Sequence, residues 1–206
     1  MSITRNKLKQ DWGLGINLLL NPFSLTKEVG AVFDFLKKTK KPNPDASRLL
    51  ASILVVFPAV QSVTYESKGE TLEFSFALNG KFSQEDFEEF LAYVAESLET
   101  FHHLEGLRGA KIKLNVEGVY GTCFLTVRRD VATLTCRELS LLTELATSYF
   151  GDRLIEEYDD NFFPDEEYLI AQENYLEQCL NNMRQLRVEG RLVGVREHER
   201  VVVYAR

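Results

Sequence analysis

The 206-residue chain is poor in the residue types that most often mark a catalytic or metal site. Its three histidines are dispersed, which supports neither a metal centre nor a catalytic triad. Its three cysteines, Cys123, Cys136 and Cys179, are scattered and odd in number. This usage predicts neither a disulfide framework nor a zinc site, and it is typical of a reducing cytoplasm. We therefore expect no metal and no other cofactor.

Long apolar runs are also missing. The longest candidate, residues 49–60, is interrupted by Ser52 and Pro58, whereas a membrane helix needs about 20 apolar residues. No apolar segment of secretory type stands directly behind the N-terminus. Phosphate loops and dinucleotide-binding fingerprints are absent as well. These absences predict a soluble protein that contacts no membrane.

The net charge of −7 is unevenly distributed. Residues 1–48 hold nine Lys and Arg against four Asp and Glu, and residues 184–206 hold six Arg against three Glu. Between these basic ends, residues 152–177 hold ten acids against one Arg, and residues 81–105 hold seven acids against one Lys. The pattern favours docking of the basic ends on the chain's own acidic surface or on that of a second copy. The alternative is that a basic end binds nucleic acid or an acidic protein.

Two helix starts with the same signature are the most informative feature that the chain does contain. Ser83 and Thr135 are hydroxyl-bearing N-cap residues, and Asp86 and Glu138 stand three residues further on. An acid at this position returns a hydrogen bond to the backbone of the N-cap, so each start is a capping box, and apolar neighbours add a hydrophobic staple. The signature predicts a helix immediately after each N-cap.

Each capped helix follows two alternating segments divided by a turn that contains glycine. The strand segments lie at 63–65 and 72–78, and at 112–116 and 123–127, with turns at 67–70 and 117–121. Alternation of apolar and polar residues is the pattern of a half-buried strand. The chain thus contains a strand–strand–helix unit twice, with helices over 84–103 and 136–150. We predict an α+β fold in which the strands form one antiparallel sheet with these helices packed on it.

Further elements are predicted on both sides of this core. Before the core, residues 1–23 are predicted to form an arm that is ordered only when it docks on the rest of the protein. Two helices follow this arm, at 24–38 and 44–57. Asn43 caps the second helix, and Val55 and Val56 are expected to make that helix buried. After the core come an acidic linker at 152–165, a long helix at 165–188, and a terminal hairpin with strands at 191–196 and 200–204.

The C-terminal segment is predicted to pack as one unit on the core or on a second subunit. Leu169, Leu176 and Met183 recur every seven residues along the long helix. Phe162 and Phe163 are expected to tether the linker. The hairpin is too small to be stable alone, and the edge at 201–203 is apolar, so it must join a larger surface.

These elements divide the chain into three parts. Residues 1–58 hold the arm and two helices, residues 59–151 hold the core sheet with its capped helices, and residues 152–206 hold the linker, the long helix and the hairpin. The order of elements over about residues 25–150 is similar to that of type III secretion chaperones and related small bacterial domains. The resemblance is one of layout, because no family motif matches residue by residue.

Two local candidates for chemistry have ordinary structural interpretations. Cys136 stands at the first helical position beside Arg137, where the helix dipole and a positive charge lower the pKa of a thiol. No histidine or asparagine is placed by the sequence to assist it. We therefore interpret Cys136 as a small residue that fits the first turn of the helix, and not as a catalytic nucleophile. His102 and His103 point in different directions on a helix, and we interpret them as a cationic C-terminal cap rather than as metal ligands.

One face of the predicted sheet is a candidate nucleic-acid surface. If the aliphatic residues of the second strand pair face the helices, the opposite face displays Lys111, Lys113, Phe124 and Arg128. Such a face suits single-stranded RNA, although sheet platforms usually display two or three aromatic residues. The alternative is a solvated face, or one that the N-terminal helices cover.

The C-terminal segment has the strongest local bias in composition, with Arg184, Arg187, Arg191, Arg196 and Arg200. Arginine rather than lysine favours bidentate contact with carboxylate or phosphate groups. Interspersed glutamates dilute the charge, so we favour protein carboxylates over nucleic acid as its partners.

No catalytic constellation accompanies the helix and hairpin that end the chain. We therefore favour a non-enzymatic cytoplasmic protein of a bacterium or an archaeon, acting as an interaction, adaptor or chaperone-like protein. Its expected partner is another protein or a second copy in a homodimer. The first alternative is a nucleic-acid-binding factor that uses the C-terminal arginines. The second is an enzyme whose pocket is hidden from the sequence.

Overall fold

A computed structural model describes residues 43–119, 121–156, 166–185, 188–197 and 200–205, together with the backbone of residues 17–18. The helix predicted at 24–38, the aromatic pair Phe162 and Phe163, and Arg187 lie outside the described residues. The described helices are α1 (Pro44–Val56), α2 (Gln84–Leu104), α3 (Cys136–Phe150) and α4 (Glu166–Gln185). The described strands are β1 (Asn17–Leu18), β2 (Val60–Glu66), β3 (Thr71–Asn79), β4 (Ile112–Val119), β5 (Thr122–Asp130), β6 (Arg191–Glu197) and β7 (Arg200–Ala205).

All seven strands belong to one sheet in the order β1-β4-β5-β3-β2-β6-β7. The pairs from β4 to β7 are antiparallel, and only the short β1 runs parallel to its neighbour β4. Both strand–strand–helix units therefore contribute to a common sheet, which confirms the predicted α+β fold. The terminal hairpin, β6 and β7, extends the same sheet from β2.

One face of the sheet is buried under the helices. A row of directly opposed residues crosses this inner face, and all of its members are buried: Leu114, Val127, Phe74, Val63 and Gly194. At Gly194 the helix α1 comes very close, since an added Cβ would lie 3.1 Å from Leu54 Cδ1 and 3.3 Å from Leu50 Cβ. Glycine at this position allows α1 to pack directly on β6.

The predicted N-caps of α1 and α2 are confirmed. The Asn43 side chain accepts the backbone N–H of Asp45 at 2.9 Å. At α2 the capping box is complete, because Ser83 Oγ accepts the N–H of Asp86 at 3.1 Å while the Asp86 carboxylate accepts the N–H of Ser83 at 2.8 Å. These local bonds satisfy amide groups that have no partner inside the helix.

The N-cap of α3 is confirmed, but its capping box is not formed. Thr135 Oγ1 accepts the N–H of Glu138 at 3.2 Å. The Glu138 carboxylate does not return a bond to the cap, because it points into the core and pairs with the buried guanidinium of Arg129. The shorter Asp86 completes its box, whereas Glu138 serves a tertiary contact.

Several local expectations are wrong. Near the end of α2, His102 is buried while its neighbour Phe101 is only half-buried, so His102 is part of the core and not a terminal cap. On α1, Val55 is 51% exposed, because the apolar face of that helix is narrower than expected. Strand β4 continues to Val119 through most of the turn predicted at 117–121.

The start of the predicted acidic linker belongs to the core. Leu154 is buried and forms an isolated bridge with Leu78 of β3. The next residue, Ile155, donates its N–H to the Ala77 carbonyl at 2.8 Å and accepts a bond from the Gln61 side chain at 2.9 Å. This segment pairs with the end of β3, just beyond the first residue of β2, and it fixes the chain before α4.

Candidate interaction surfaces and a buried charge cluster

The second half of α4 is anchored to the rest of the chain. Its buried residues pack against α1 and the core: Leu176, Cys179, Leu180 and Met183. Polar contacts add to this packing. The Glu177 carboxylate accepts the backbone N–H of Cys136 at 3.0 Å, at the start of α3. Arg184 donates to the carbonyls of Val131, at 3.3 Å, and Leu134.

The first half of α4, from Glu166 to Tyr175, contains no buried residue. At 1.5 Å per residue, these ten residues form about 15 Å of helix whose side chains are exposed, apart from the half-buried Gln172. The stripe predicted from the seven-residue repeat is therefore interrupted, because Leu176 and Met183 are buried while Leu169 is 46% exposed. We call residues 166–175 the projecting half of α4.

The projecting half carries a concentration of exposed apolar side chains. Ile170 is 53% exposed and Tyr175 is 43% exposed, beside Leu169 and Tyr168. These are four of the nine large hydrophobic residues that are exposed in the described part of the chain. Acids lie on the same ten residues: Glu166, Glu167 and Glu173. At about 100° per residue, Glu166 and Glu173 lie between Leu169 and Ile170 around the helix, while Tyr168 and Tyr175 lie on another side. Exposed apolar residues clustered on an ordered helix are typical of a surface that contacts a partner.

The second candidate surface is the sheet face opposite the helices, which we call the outer face. One row of directly opposed residues crosses it from β4 to β7: Lys113, Arg128, Glu73, Thr64, Val193 and Tyr204. Three of the predicted nucleic-acid residues, Lys113, Phe124 and Arg128, thus lie on one face as expected. Phe124 lies four residues before Arg128 on β5, on the same face, and stands opposite Ala77 of β3.

Charges on the outer face alternate in sign. Arg128 donates from Nε to the Glu73 carboxylate at 2.8 Å. Arg191 stands opposite Glu66, and Arg200 stands opposite Glu197. A shallow depression on this face is lined by Thr64, Glu66, Thr71, Glu73, Arg128 and Arg191. Because each of these three arginines faces an acid, the described residues of this face alternate in charge and do not form the continuous positive strip that a phosphate backbone favours.

The structure distributes the other predicted basic residues among different environments. Arg184 binds loop carbonyls, as described above, and Arg196 donates to the Leu54 carbonyl at the end of α1. Lys111 precedes β4. Its backbone N–H donates to the Asp130 carboxylate at 2.8 Å, and its carbonyl accepts a bond from Arg129 at 3.1 Å. The described residues of the arginine-rich segment therefore lie in different environments and serve several contacts within the chain.

A buried charge cluster, Arg129, Glu138 and His102, lies between β5, α3 and α2. Arg129 and Glu138 have no exposed surface, and His102 is 3% exposed. Arg129 donates from Nε and Nη2 to the two Glu138 oxygens, the second at 2.8 Å, and His102 Nε2 lies 3.1 Å from Glu138 Oε2. The same guanidinium binds Asp130 and, at 3.2 Å, the Thr133 hydroxyl.

Electrostatics keep both carboxyl groups of this region ionised. Burial raises the pKa of Glu138, but hydrogen bonds and charge from Arg129 and His102 outweigh burial, and the pKa is lowered from its ordinary value. Burial likewise raises the pKa of Asp130, whereas bonds from Thr133, Lys111 and Arg129 lower it overall. The cluster is thus a set of paired charges that ties β5 to α2 and α3.

This cluster was missed by the sequence analysis, although a signal for it exists. Arg129 follows Leu125 and Val127 in the inner-facing register of β5, so the chain places a charge at a core position. A charged residue in that register requires a buried partner of opposite sign. The sequence gives no means of choosing Glu138 among the acids.

Cys136 does not have the environment of a reactive thiol. Burial, followed by the nearby carboxylates of Glu173 and Glu177, raises its pKa to about 12. A nucleophilic cysteine requires the opposite shift. The structure therefore supports the interpretation of Cys136 as a small residue in the first turn of α3.

The described part of the chain contains no group of three or more His, Cys, Asp and Glu residues arranged to hold a metal ion. Among the helices that the structure describes, none is long and apolar enough to cross a membrane. The sequence matches no protein-family model and no curated protein, and no solved structure matches the chain.

Proposed function

We propose that this chain is a non-enzymatic protein-interaction module, of the adaptor or chaperone-like kind, that inserts the projecting half of α4 into a partner. The observation that carries the proposal is the exposure of Leu169, Ile170 and Tyr175 on a helix whose other half is fixed in the core. Exposed apolar clusters of this kind mark interaction sites in folded proteins. A helix held at one end is already ordered before it binds, which lowers the entropic cost of binding.

The charges of the projecting half specify the chemistry of the partner. Glu166, Glu167 and Glu173 are interspersed with the apolar residues, and the segment 152–177 is strongly acidic as a whole. The partner should therefore present an apolar groove with Lys or Arg on its rim. Opposite charges at the rim accelerate association, while the apolar residues supply most of the binding energy.

The test compares two double substitutions that add the same charge to the same helix. Leu169→Glu with Ile170→Glu places charges in the proposed contact surface. The matched control, Gln178→Glu with Asn182→Glu, changes exposed residues on the anchored half. Each full-length chain is immobilised, and partners from nuclease-treated lysate of the source cells are quantified.

We expect the wild type and the control to retain the same partner and the Leu169/Ile170 variant to lose it. All three chains should have similar unfolding free energies, because these side chains are about half exposed already. Retention of the partner by the Leu169/Ile170 variant contradicts the proposal. So does a loss of stability above about 2 kcal/mol in this variant, because that is the effect of charging a residue buried within the chain.

Nucleic-acid binding is the competing function. It predicts affinity that falls steeply with salt, because each neutralised phosphate releases counterions. Replacing Arg191, Arg196 and Arg200 by Gln should then abolish binding. If these arginines serve contacts within the chain instead, the triple variant loses stability. The exposed pairs of Arg191 and Arg200 contribute about 0–1 kcal/mol each, and the half-buried Arg196 also loses its bond to the Leu54 carbonyl. Titration of labelled RNA and DNA at two salt concentrations distinguishes these outcomes.

A further inference from the structure

Strand β7 is the last strand of the sheet among the described residues, where it pairs with β6 alone. The pairing is continuous from Glu197–Arg200 to Leu192–Ala205, without a shift in register. One side of β7 therefore presents a straight row of backbone N–H and carbonyl groups along six residues. At the opposite end of the sheet, the short strand β1 pairs with the edge of β4 that β5 leaves free.

The usual protections of an edge strand are absent from β7. It contains no proline and no bulge, and its only charged residue is Arg200 at its beginning. Natural sheets protect an edge with charges, bulges, prolines or very short strands. An unprotected apolar edge of this length is a surface for pairing with another strand.

We propose that β7 pairs antiparallel with β7 of a second copy of this chain, about a two-fold axis at Val202. The sheet then continues across the dimer, with Val202 opposite Val202 of the partner subunit. Antiparallel pairing of identical strands is self-complementary, which is the requirement of a two-fold interface. This interface involves a surface other than the projecting half of α4, so it goes beyond the proposed function.

The side chains of β7 select this register. With the axis at Val202, Arg200 lies opposite Tyr204 of the other copy on the outer face, a pairing that suits a cation and an aromatic ring. The Tyr204 hydroxyl donates to the Glu197 carboxylate at 3.0 Å, so the arginine of the other copy would also lie near a negative charge. An axis at Val203 would place Val202 opposite Tyr204 and leave Arg200 with no opposite residue within β7.

The inner face is complementary as well. Val201 and Val203 are half-buried and pack at the margin of the hydrophobic core. In the proposed register each of them lies opposite the other in the second copy. The two cores would then meet across the interface, and the half-exposed surface of these valines would be buried.

The first test is the mass of the full chain by sedimentation velocity over a wide range of concentration. We expect reversible formation of a species of twice the chain mass of 23.6 kDa. Arg200→Glu should raise the dimer dissociation constant about tenfold or more, because it removes the cation and adds a like charge beside Glu197. A wild type that stays monomeric at all concentrations overturns the proposal.

The second test measures the register by disulfide trapping in a Cys123→Ser background, which removes the half-buried native thiol. Directly opposed residues of an antiparallel pair have Cα atoms about 4.5–5.5 Å apart, within the span of a disulfide. Val202→Cys should therefore give a covalent dimer on mild oxidation.

The matched control is Val195→Cys, which changes the residue directly opposite Val202 on β6. It is also a half-buried valine of the outer face, but its two copies are separated by three strand spacings, about 14 Å. Trapping of Val202→Cys but not of Val195→Cys supports the proposal. Equal trapping of both, or a wild-type dimer that Val202→Cys fails to trap although circular dichroism shows it folded, overturns it. Ile170→Glu should leave the dimer unchanged, which separates this result from the proposed function.

Discussion

Replacing Glu138 by Gln tests the buried charge cluster directly. The substitution keeps the size of the side chain but removes the charge opposite Arg129, a side chain with no exposed surface. The amide offers one acceptor where the carboxylate offers two to Arg129, at Nε and at Nη2, and a third contact to His102. Breaking a buried ion pair from one side costs about 3–5 kcal/mol, because the remaining charge stays buried without compensation.

The expected loss is large enough to measure by two methods. Urea unfolding followed by circular dichroism should show the loss of about 3–5 kcal/mol in the unfolding free energy. For a chain of this size, each kcal/mol lowers the midpoint of thermal unfolding by about 2–4 °C, so a shift of about 10 °C is expected. Glu105→Gln is the matched control, because Glu105 pairs with Arg137 at 2.7 Å on the surface, where Arg137 is 74% exposed. That control should cost less than about 1 kcal/mol.

A second substitution distinguishes a lost ion pair from general damage to the core. In the double variant Arg129→Met with Glu138→Leu, no charge of the pair remains in the interior. Apolar replacement of both partners of a buried ion pair is often neutral or stabilising. The double variant should therefore be more stable than Glu138→Gln alone, even though Asp130 and His102 lose hydrogen-bond partners.

Acid should reproduce the effect of the substitution. The pKa of Glu138 is lowered below its ordinary value of 4.5, and that of Asp130 below 3.8. A carboxyl group with a lowered pKa in the folded state stabilises the fold above its unfolded-state pKa, and this stability is lost as the pH falls through the folded-state pKa. The wild type should lose stability below about pH 4.5, and Glu138→Gln should weaken this dependence. The reasoning is refuted if Glu138→Gln costs no more than Glu105→Gln, or if it leaves the acid dependence unchanged.

Three further predictions concern local features. Thr135→Ala should lower the unfolding free energy by about 1 kcal/mol in urea titration, because it removes the N-cap bond of α3. Gly194→Ala should cost about 1–3 kcal/mol by the same assay, because its Cβ would press on α1, whereas the control Gly118→Ala meets only an ordinary contact at 3.9 Å and should be much milder. Cys136 should resist alkylation in the native chain at neutral pH and react only on unfolding, since its pKa is raised to about 12. The half-buried Cys123 should react sooner. Rapid labelling of Cys136 in the native chain, measured by mass spectrometry, would contradict this prediction.

The sequence alone determined those features that depend on neighbours within a few residues. Ser83 and Thr135 were identifiable as N-caps because a cap binds an amide two or three positions away. Alternation predicted the strands of both units, because successive side chains of a strand point to opposite faces. Chain order then predicted that consecutive strands pair. The small terminal hairpin was predicted only to join a larger surface, and the structure shows that this surface is β2.

The tertiary structure decided every feature that depends on distant partners. The Glu138 carboxylate has the right spacing for a capping box, yet it meets His102, which is 36 residues away in sequence. Leu169 and Leu176 occupy equivalent positions of one helical repeat, but only Leu176 is buried in the core. The physical reason is that burial and pairing depend on which surfaces meet in space. A local pattern determines the surface that a residue can present, and the packing of distant elements determines whether that surface is covered.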